Sequence, residues 1–179
     1  MQRIAVVGCG GSGKPHVARE VARLIGASVT HLDAEYFDSE WRPLPMDQFA
    51  SRQRELVTSD RWVIDGNYNS TLEIRLRAAD TVIFMDLPTA TCLRGIVGRQ
   101  VRHGHGQDRD NGVFNRITFD VVRYALSYRR KMRPRVLAKI AESAPHARLI
   151  VLTSRRATTA FLAELGEEPV MLDGTPVRP

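Results

Sequence analysis

The stretch Gly8-Cys9-Gly10-Gly11-Ser12-Gly13-Lys14-Pro15 decides how the rest of the chain is read. The apolar run Ile4-Ala5-Val6-Val7 precedes it, and Val17, Val21, Leu24 and Ile25 follow at helical spacing until Gly26. The order is strand, glycine loop, helix. All but the last position fit the phosphate-binding pattern G-x-x-x-x-G-K-[ST]. Glycines let backbone N–H groups fold around phosphate oxygens, Lys14 would reach the terminal phosphates, and the helix N-terminus adds positive potential. Gly8, Gly10, Gly11, Ser12, Gly13, Lys14, Pro15 and His16 are therefore the residues expected to cradle a nucleotide. The last position should carry a Ser or Thr hydroxyl for Mg²⁺, and it carries Pro15.

Working outward, 179 residues with 43% hydrophobic content suit one domain with one core, 1–179. No run approaches the ~18–20 apolar residues of a membrane span, and the chain enters its first strand without a signal-like segment. Cys9 and Cys92 lack metal-ligand or disulfide-framework spacing, so a reducing, cytosolic protein is expected. Cys9 reads as a small residue tolerated in the loop, with a reactive thiol as the alternative. The net charge of +6 points to anionic partners, whether nucleotides, phosphorylated small molecules or nucleic acid.

Short apolar runs alternate with helical spacings along the whole chain. Ser28-Val29-Thr30-His31-Leu32 is a second strand with Asp33 at its end, and Trp62-Val63-Ile64-Asp65-Gly66 is a third, again ending in an acid. Ligands in open α/β sheets bind outside the carboxyl ends of strands, which places both acids well for chemistry. For Asp33 a plain helix-cap or turn role stands beside the chemical one. Tyr36 to Pro45 reads as an ordered aromatic loop, either closing over a second substrate or anchoring itself to the core. Asp47 can cap the helix that follows. Thr81 to Pro88 is the fourth strand and its stop, and Arg148 to Thr153 the fifth. His103 to Asn115 breaks every period and reads as a mobile loop, in which His103 and His105 suit solvent better than a metal. Pro134 should end one helix or start another. The tail, 167–179, is weakly specified. This alternation argues for a parallel sheet covered by helices on both faces.

Further pieces narrow the reading. Trp62 to Gly66 resembles the adenylate kinase strand that ends in Asp-Gly, and Ala79-Asp80-Thr81-Val82-Ile83-Phe84-Met85-Asp86-Leu87-Pro88 resembles the strand after it. Ile96-Val97-Gly98-Arg99-Gln100-Val101-Arg102 looks like the approach to the lid. With His31-Leu32-Asp33 and Leu152-Thr153-Ser154-Arg155-Arg156, the order and spacing are similar to the adenylate-kinase-like P-loop proteins often labelled DNA topology modulation proteins. The resemblance runs to about Leu165. It implies a three-layer P-loop NTPase fold with a five-stranded sheet of order 2-3-1-4-5, ATP on the loop and an acceptor held by 34–76. It also implies a short lid at 103–115. Asp65 would orient Mg²⁺ through water, and Asp33 would join it or act as base toward an acceptor hydroxyl. Lys14, Arg99 and Arg116 would neutralise charge during transfer, with Arg102 and Arg123 as further lid arginines. Asp33, Tyr36, Asp65, Tyr68, Arg75 and Arg123 would line the acceptor.

There are departures from that pattern. Adenylate kinases carry Asp-Gly-Phe-Pro-Arg where this chain has Asp65-Gly66-Asn67-Tyr68-Asn69. The arginine that grips AMP phosphate is thus absent, Asn69 cannot supply its bidentate charge, and Arg75 could substitute from the next helix. The lid lacks cysteines, so no zinc is expected in it. Arg123, Arg129, Arg130, Lys131, Arg133 and Arg135 concentrate positive charge, with Asp120 the nearest acid in sequence. Polyphosphate binding, a nucleic-acid surface and a solvated helix face all fit that cluster. The leading expectation is a small-molecule kinase. The rival is a nucleotide-binding or nucleic-acid-associated module with little catalysis.

Pro15 removes a hydroxyl and a backbone N–H that would face phosphate. A charge-assisted hydrogen bond contributes ~1.5–3 kcal/mol, so ATP affinity should be weakened roughly 10–100-fold by loss of the N–H alone. Pro15→Ser is therefore expected to raise Mg²⁺-dependent ATP affinity or turnover. No change by calorimetry and kinetics would show that this position is not the metal-ligand slot.

Overall fold

In the computed structural model, which describes residues 1–108, 110, 112–167, 170–172 and 175–177, the five apolar runs form one parallel sheet. Its strands are β1 (Arg3–Gly8), β2 (Ser28–His31), β3 (Trp62–Asp65), β4 (Thr81–Met85) and β7 (Arg148–Leu152), in the order β2-β3-β1-β4-β7. Counting sheet strands alone, this is the expected 2-3-1-4-5 order. The later label of the last strand reflects a hairpin inserted before it, β5 (Gly106–Asp108) and β6 (Val113–Asn115).

Strand alternation builds the two faces. Ile4, Val6, Ile83 and Met85 pack with Val17 and Val21 of α1 (Lys14–Ile25) and with Tyr128. Ala5, Val7, Val82 and Phe84 turn the other way, onto Leu72 and Leu76 of α4 (Leu72–Ala78) and Phe49 of α3 (Met46–Leu56). β1, β3 and β4 are buried on both sides, which explains their unbroken apolar runs, whereas the edge strand β7 is largely exposed. Gly26 ends α1 in a left-handed conformation, with the Ala27 N–H reaching the Ala22 carbonyl at 2.9 Å.

Several local expectations are corrected. The second strand stops at His31, and Leu32–Tyr36 forms a short helix, α2, that carries Asp33. Pro45 holds the N-cap of α3, so Asp47 lies inside its first turn and caps nothing. The segment from His103 to Asn115 is the end of α5 (Thr89–His103) followed by the β5–β6 hairpin, not an unstructured loop. Pro134 neither ends nor starts a helix: α6 runs unbroken from Phe119 to Ser143. An interior proline costs about 3 kcal/mol, but here it sits between two anchored halves. Ala125 and Tyr128 belong to the first core, Val136 and Ile140 to the second. Pro134 is exposed, so the carbonyl it leaves unbonded can face water. Beside it, Arg133 grips Asp86 through Nε (2.9 Å to Oδ1) and Nη2 (2.8 Å to Oδ2), with Arg129 at 3.9 Å. Asp86, distant in sequence, therefore engages the basic cluster alongside Asp120, which pairs with Arg123. Part of the 167–179 tail lies outside the described residues; within it, β8 (Val170–Leu172) and β9 (Thr175–Val177) pair antiparallel. Among the described residues no helix is long and apolar enough to cross a membrane.

The glycine loop is pressed onto α5. A Cβ on Gly11 would collide with the Cys92 carbonyl, and one on Gly95 would collide with the Gly11 carbonyl. Gly98, one turn further along α5, has open room, with the nearest atom at 3.7 Å. Gly95→Ala should therefore lower unfolding free energy by about 1–3 kcal/mol. Gly98→Ala should raise it by about 0.5–1 kcal/mol. Denaturant unfolding of both variants checks this; equal effects would contradict the packing.

Candidate active site

β1 delivers the loop to the carboxyl edge of the sheet, and β2 and β3 deliver the acids beside it. Lys14, the first residue of α1, folds back so that Nζ donates to the carbonyls of Gly8 and Cys9, both at 2.9 Å. An ammonium has three donors, so one N–H remains for an anion. Pro15 lies within the first helical turn, where its missing N–H does not disturb α1, and Lys14 keeps helical geometry. His16 is exposed, and Ser12 is buried with its hydroxyl unpartnered among the described residues.

Asp33 interacts electrostatically with Lys14, Asp65 and Arg99 at once. Burial pushes its carboxyl above the ordinary value of 3.8, and the Asp65 charge adds to this; the Tyr68 hydroxyl, donating to Oδ1 at 2.5 Å, pulls the other way. Tyr68 is held in a left-handed backbone conformation (φ 32°), an uncommon state for a bulky residue. Its ring packs with Tyr36 (4.9 Å) and Phe49 (4.8 Å), which fixes the hydroxyl on Asp33. Burial raises the Tyr68 hydroxyl further, so it stays a donor. Asp65 is buried and meets Nδ1 of His31, the residue paired with it across β2 and β3. Burial lowers Arg99, which the Asp33 charge opposes; its Nε is buried without a partner among the described residues.

The remaining predicted residues lie elsewhere. Arg75 is fully buried and donates to Gln53 Oε1 (2.9 Å) and to the Gly66 and Asn67 carbonyls (both 3.0 Å), while its Nε has no partner among the described residues. Burial lowers it to about 9, so it remains charged at neutral pH and staples the turn after β3. Arg102 and Arg123 are exposed, and Arg123 pairs with Asp120. Arg116 sits over the Trp41 ring at 5.9 Å.

Sequence reasoning missed His31, Asn67 and the lid contacts. Asn67 accepts from the Gly8 N–H at 2.9 Å and donates to the Tyr124 hydroxyl at 2.9 Å, tying the β3 turn to the loop. The hairpin rests on the 31–41 segment. Trp41 meets Phe114 (6.3 Å), Gln107 donates to the Asp38 carbonyl (2.8 Å), and Gly112 lies on the His31 ring. A Cβ at Gly112 would come within 2.5 Å of that ring, and its φ of 60° also favours glycine. The register of Asp65 opposite His31 was the one available signal for the histidine.

Comparison with solved structures identifies the architecture. A shikimate kinase from Acinetobacter baumannii, solved in complex with shikimate, is similar over 92% of this chain and 90% of its own, with 17% identity and a TM-score of 0.55. A shikimate kinase from Bacteroides thetaiotaomicron is similar over 93% and 96%, with 16% identity and a TM-score of 0.51. No family model and no curated protein sequence matches the chain. The resemblance to DNA topology modulation proteins thus rests on the chain's own loop and strand-end pieces, and what the solved structures establish is the P-loop kinase fold.

Because the folded chain holds the Asp33 proton more tightly than the unfolded chain, this group's contribution to stability falls as pH rises from 3.8 through the raised value. Tyr68→Phe removes a hydrogen bond that favours the ionised form. NMR titration of the Asp33 carboxyl should place it above the ordinary value in the wild type and higher still in Tyr68→Phe; a downward shift would contradict this arrangement.

Proposed function

We propose that the chain is an ATP-dependent small-molecule kinase of the adenylate-kinase-like group, near the DNA topology modulation proteins, that transfers the γ-phosphoryl group to an acceptor hydroxyl. The carrying observation is the glycine loop at the carboxyl edge of the sheet, where Lys14 Nζ is aimed by the Gly8 and Cys9 carbonyls and Asp33 is held by the Tyr68 hydroxyl within the electrostatic reach of Lys14, Asp65 and Arg99. Loop N–H groups and the free N–H of Lys14 bind the phosphates. Tyr68 occupies one Asp33 oxygen, which leaves the other to take the proton of an acceptor hydroxyl. Arg99 offers a buried donor, unpartnered among the described residues, for charge that develops on the transferred group. The hairpin on Trp41 and His31 excludes water and so suppresses hydrolysis.

A carboxylate suits Mg²⁺, which prefers oxygen donors and keeps water and phosphate in its shell. Among the described residues no group of three His, Cys, Asp or Glu side chains could hold a metal alone, so with Asp33 acting as the base, phosphate oxygens and water would complete the shell beside Asp65. Mg²⁺ would supply neutralisation of the phosphate charge there. With Pro15 in the hydroxyl slot, Asp65 carries more of that task. The two cysteines are free, which suits a reducing, cytosolic compartment.

Arg75 bonds to the turn, and Asn69 stands where the adenylate kinase pattern has its arginine, so AMP is not the favoured acceptor. Nucleosides, nucleoside monophosphates, shikimate and other small hydroxy compounds therefore belong in one panel with ATP and Mg²⁺. Release of ADP stimulated by one acceptor, lowered at least about 100-fold by Asp33→Asn, is the expected result. Its acid limb should lie above the ordinary carboxylate range, because the base must be ionised. ATP binding without acceptor-dependent release, alongside salt-sensitive DNA binding by exposed Arg130, Lys131 and Arg135, would favour a nucleotide-binding module instead.

A further inference from the structure

The imidazole of His31 touches two parts of the molecule at once. Its Nδ1–H donates to Oδ1 of Asp65, the residue opposite it in the β2–β3 register. An ionised carboxylate only accepts, so the proton of that bond sits on the ring. On another side lies Gly112, in the turn that leads into β6. A Cβ there would come within 2.5 Å of the ring Cγ and 2.6 Å of both Cδ2 and Cε1, three atoms spread around the ring, so the glycine lies over its flat face. His31 is 6% exposed, and its other nitrogen, Nε2, is buried without a partner among the described residues. No hydrogen bond at Nε2 holds the ring, so its tilt depends on the bond at Nδ1 and on what packs over it. The Asp65 carboxylate in turn has no other hydrogen-bond donor among the described residues.

We propose that His31 is a positioning residue that couples the β5–β6 hairpin to Asp65. The seated hairpin clamps the imidazole, the clamped imidazole fixes Asp65 Oδ1, and the second carboxylate oxygen is left for the Mg²⁺–phosphate shell. The last of these steps rests on the kinase reading; the first two do not. Hydrogen-bonded neighbours that hold a ligating carboxylate typically change metal affinity about 10–100-fold when they are lost.

The hairpin is also fastened away from His31, by Phe114 against Trp41 and by Gln107 on the Asp38 carbonyl. Pressure on the ring can therefore be changed while those contacts hold the hairpin in place. Position 112 has a φ of 60°, and asparagine tolerates that left-handed backbone, so Gly112→Asn adds a Cβ with little backbone strain. The added atom must tilt the ring, and a hydrogen bond weakens steeply as it bends.

The test reads the imidazole first, by NMR of the isotope-labelled full chain without nucleotide. The His31 Nδ1–H signal should exchange slowly with solvent, and Gly112→Asn should speed that exchange at least about tenfold. The β3 amides should stay protected in both, which shows the sheet intact. ATP is then titrated with Mg²⁺ and with EDTA. The gain in affinity that Mg²⁺ gives should fall at least about tenfold in Gly112→Asn, although Gly112 touches neither Asp65 nor the glycine loop.

Variants at His31 separate its two contacts. His31→Leu keeps bulk beneath the hairpin without a donor, and should lower the Mg²⁺ gain while the β6 amides stay protected. His31→Asn keeps an N–H near the place of Nδ1 without the ring, and should retain the Mg²⁺ gain while the β6 amides exchange faster. These two variants carry the comparison if Gly112→Asn does not fold, and equal behaviour of the two overturns the proposal. An Nδ1–H signal that Gly112→Asn leaves unchanged overturns the coupling. A faster-exchanging signal with an unchanged Mg²⁺ gain overturns the step from Asp65 to the metal. A wild-type chain that binds no ATP removes the kinase reading, and the imidazole signal still decides whether the hairpin governs His31.

Discussion

The contact on which the rest of the structure depends is backbone against backbone, where the glycine loop lies on α5 with no side chain between them. Gly11 and Gly95 face each other so closely that a methyl group on either would force the loop away. This seats the loop at the sheet edge, and Asn67 fastens its other side by accepting from the Gly8 N–H. Lys14 is then aimed by the Gly8 and Cys9 carbonyls rather than by a charged partner, so its charge stays available to a ligand.

Around that fixed loop, buried polar groups orient one another in a chain. Arg75 holds the turn after β3, the turn places Tyr68, and Tyr68 with its aromatic neighbours places its hydroxyl on Asp33. The left-handed backbone at Tyr68 is strain tolerated because the surrounding packing fixes it. The hairpin adds a second layer, resting on Trp41 and His31 at the open edge of the sheet. Phosphoryl transfer, the reaction proposed for this site, depends on position and charge more than on covalent steps.

Local signals made much of this legible in the sequence. Five apolar runs, the glycine pattern and Gly26 located the sheet, the loop and the first helix stop, because each depends on residues near in sequence. What stayed hidden depends on residues far apart. Pro134 reads as a helix break until both halves of α6 are seen anchored to separate cores. Arg75 reads as a ligand contact in the sequence, and only the folded chain shows it bonded to Gln53 and to the Gly66 and Asn67 carbonyls. The hairpin has no period to read, since three-residue strands are held by Phe114, Gln107 and Gly112 against a distant segment. Asp86 as partner of Arg133 belongs to the same class.

The central claim is that the loop and Asp33 form one phosphoryl-transfer centre. A crystal structure of the chain with Mg²⁺ and a non-hydrolysable ATP analogue tests it most directly. The account predicts phosphates cradled by residues 8–15, with the γ-phosphate between Lys14 and Asp33. Phosphates bound elsewhere, or a γ-phosphate turned away from Asp33, would contradict it.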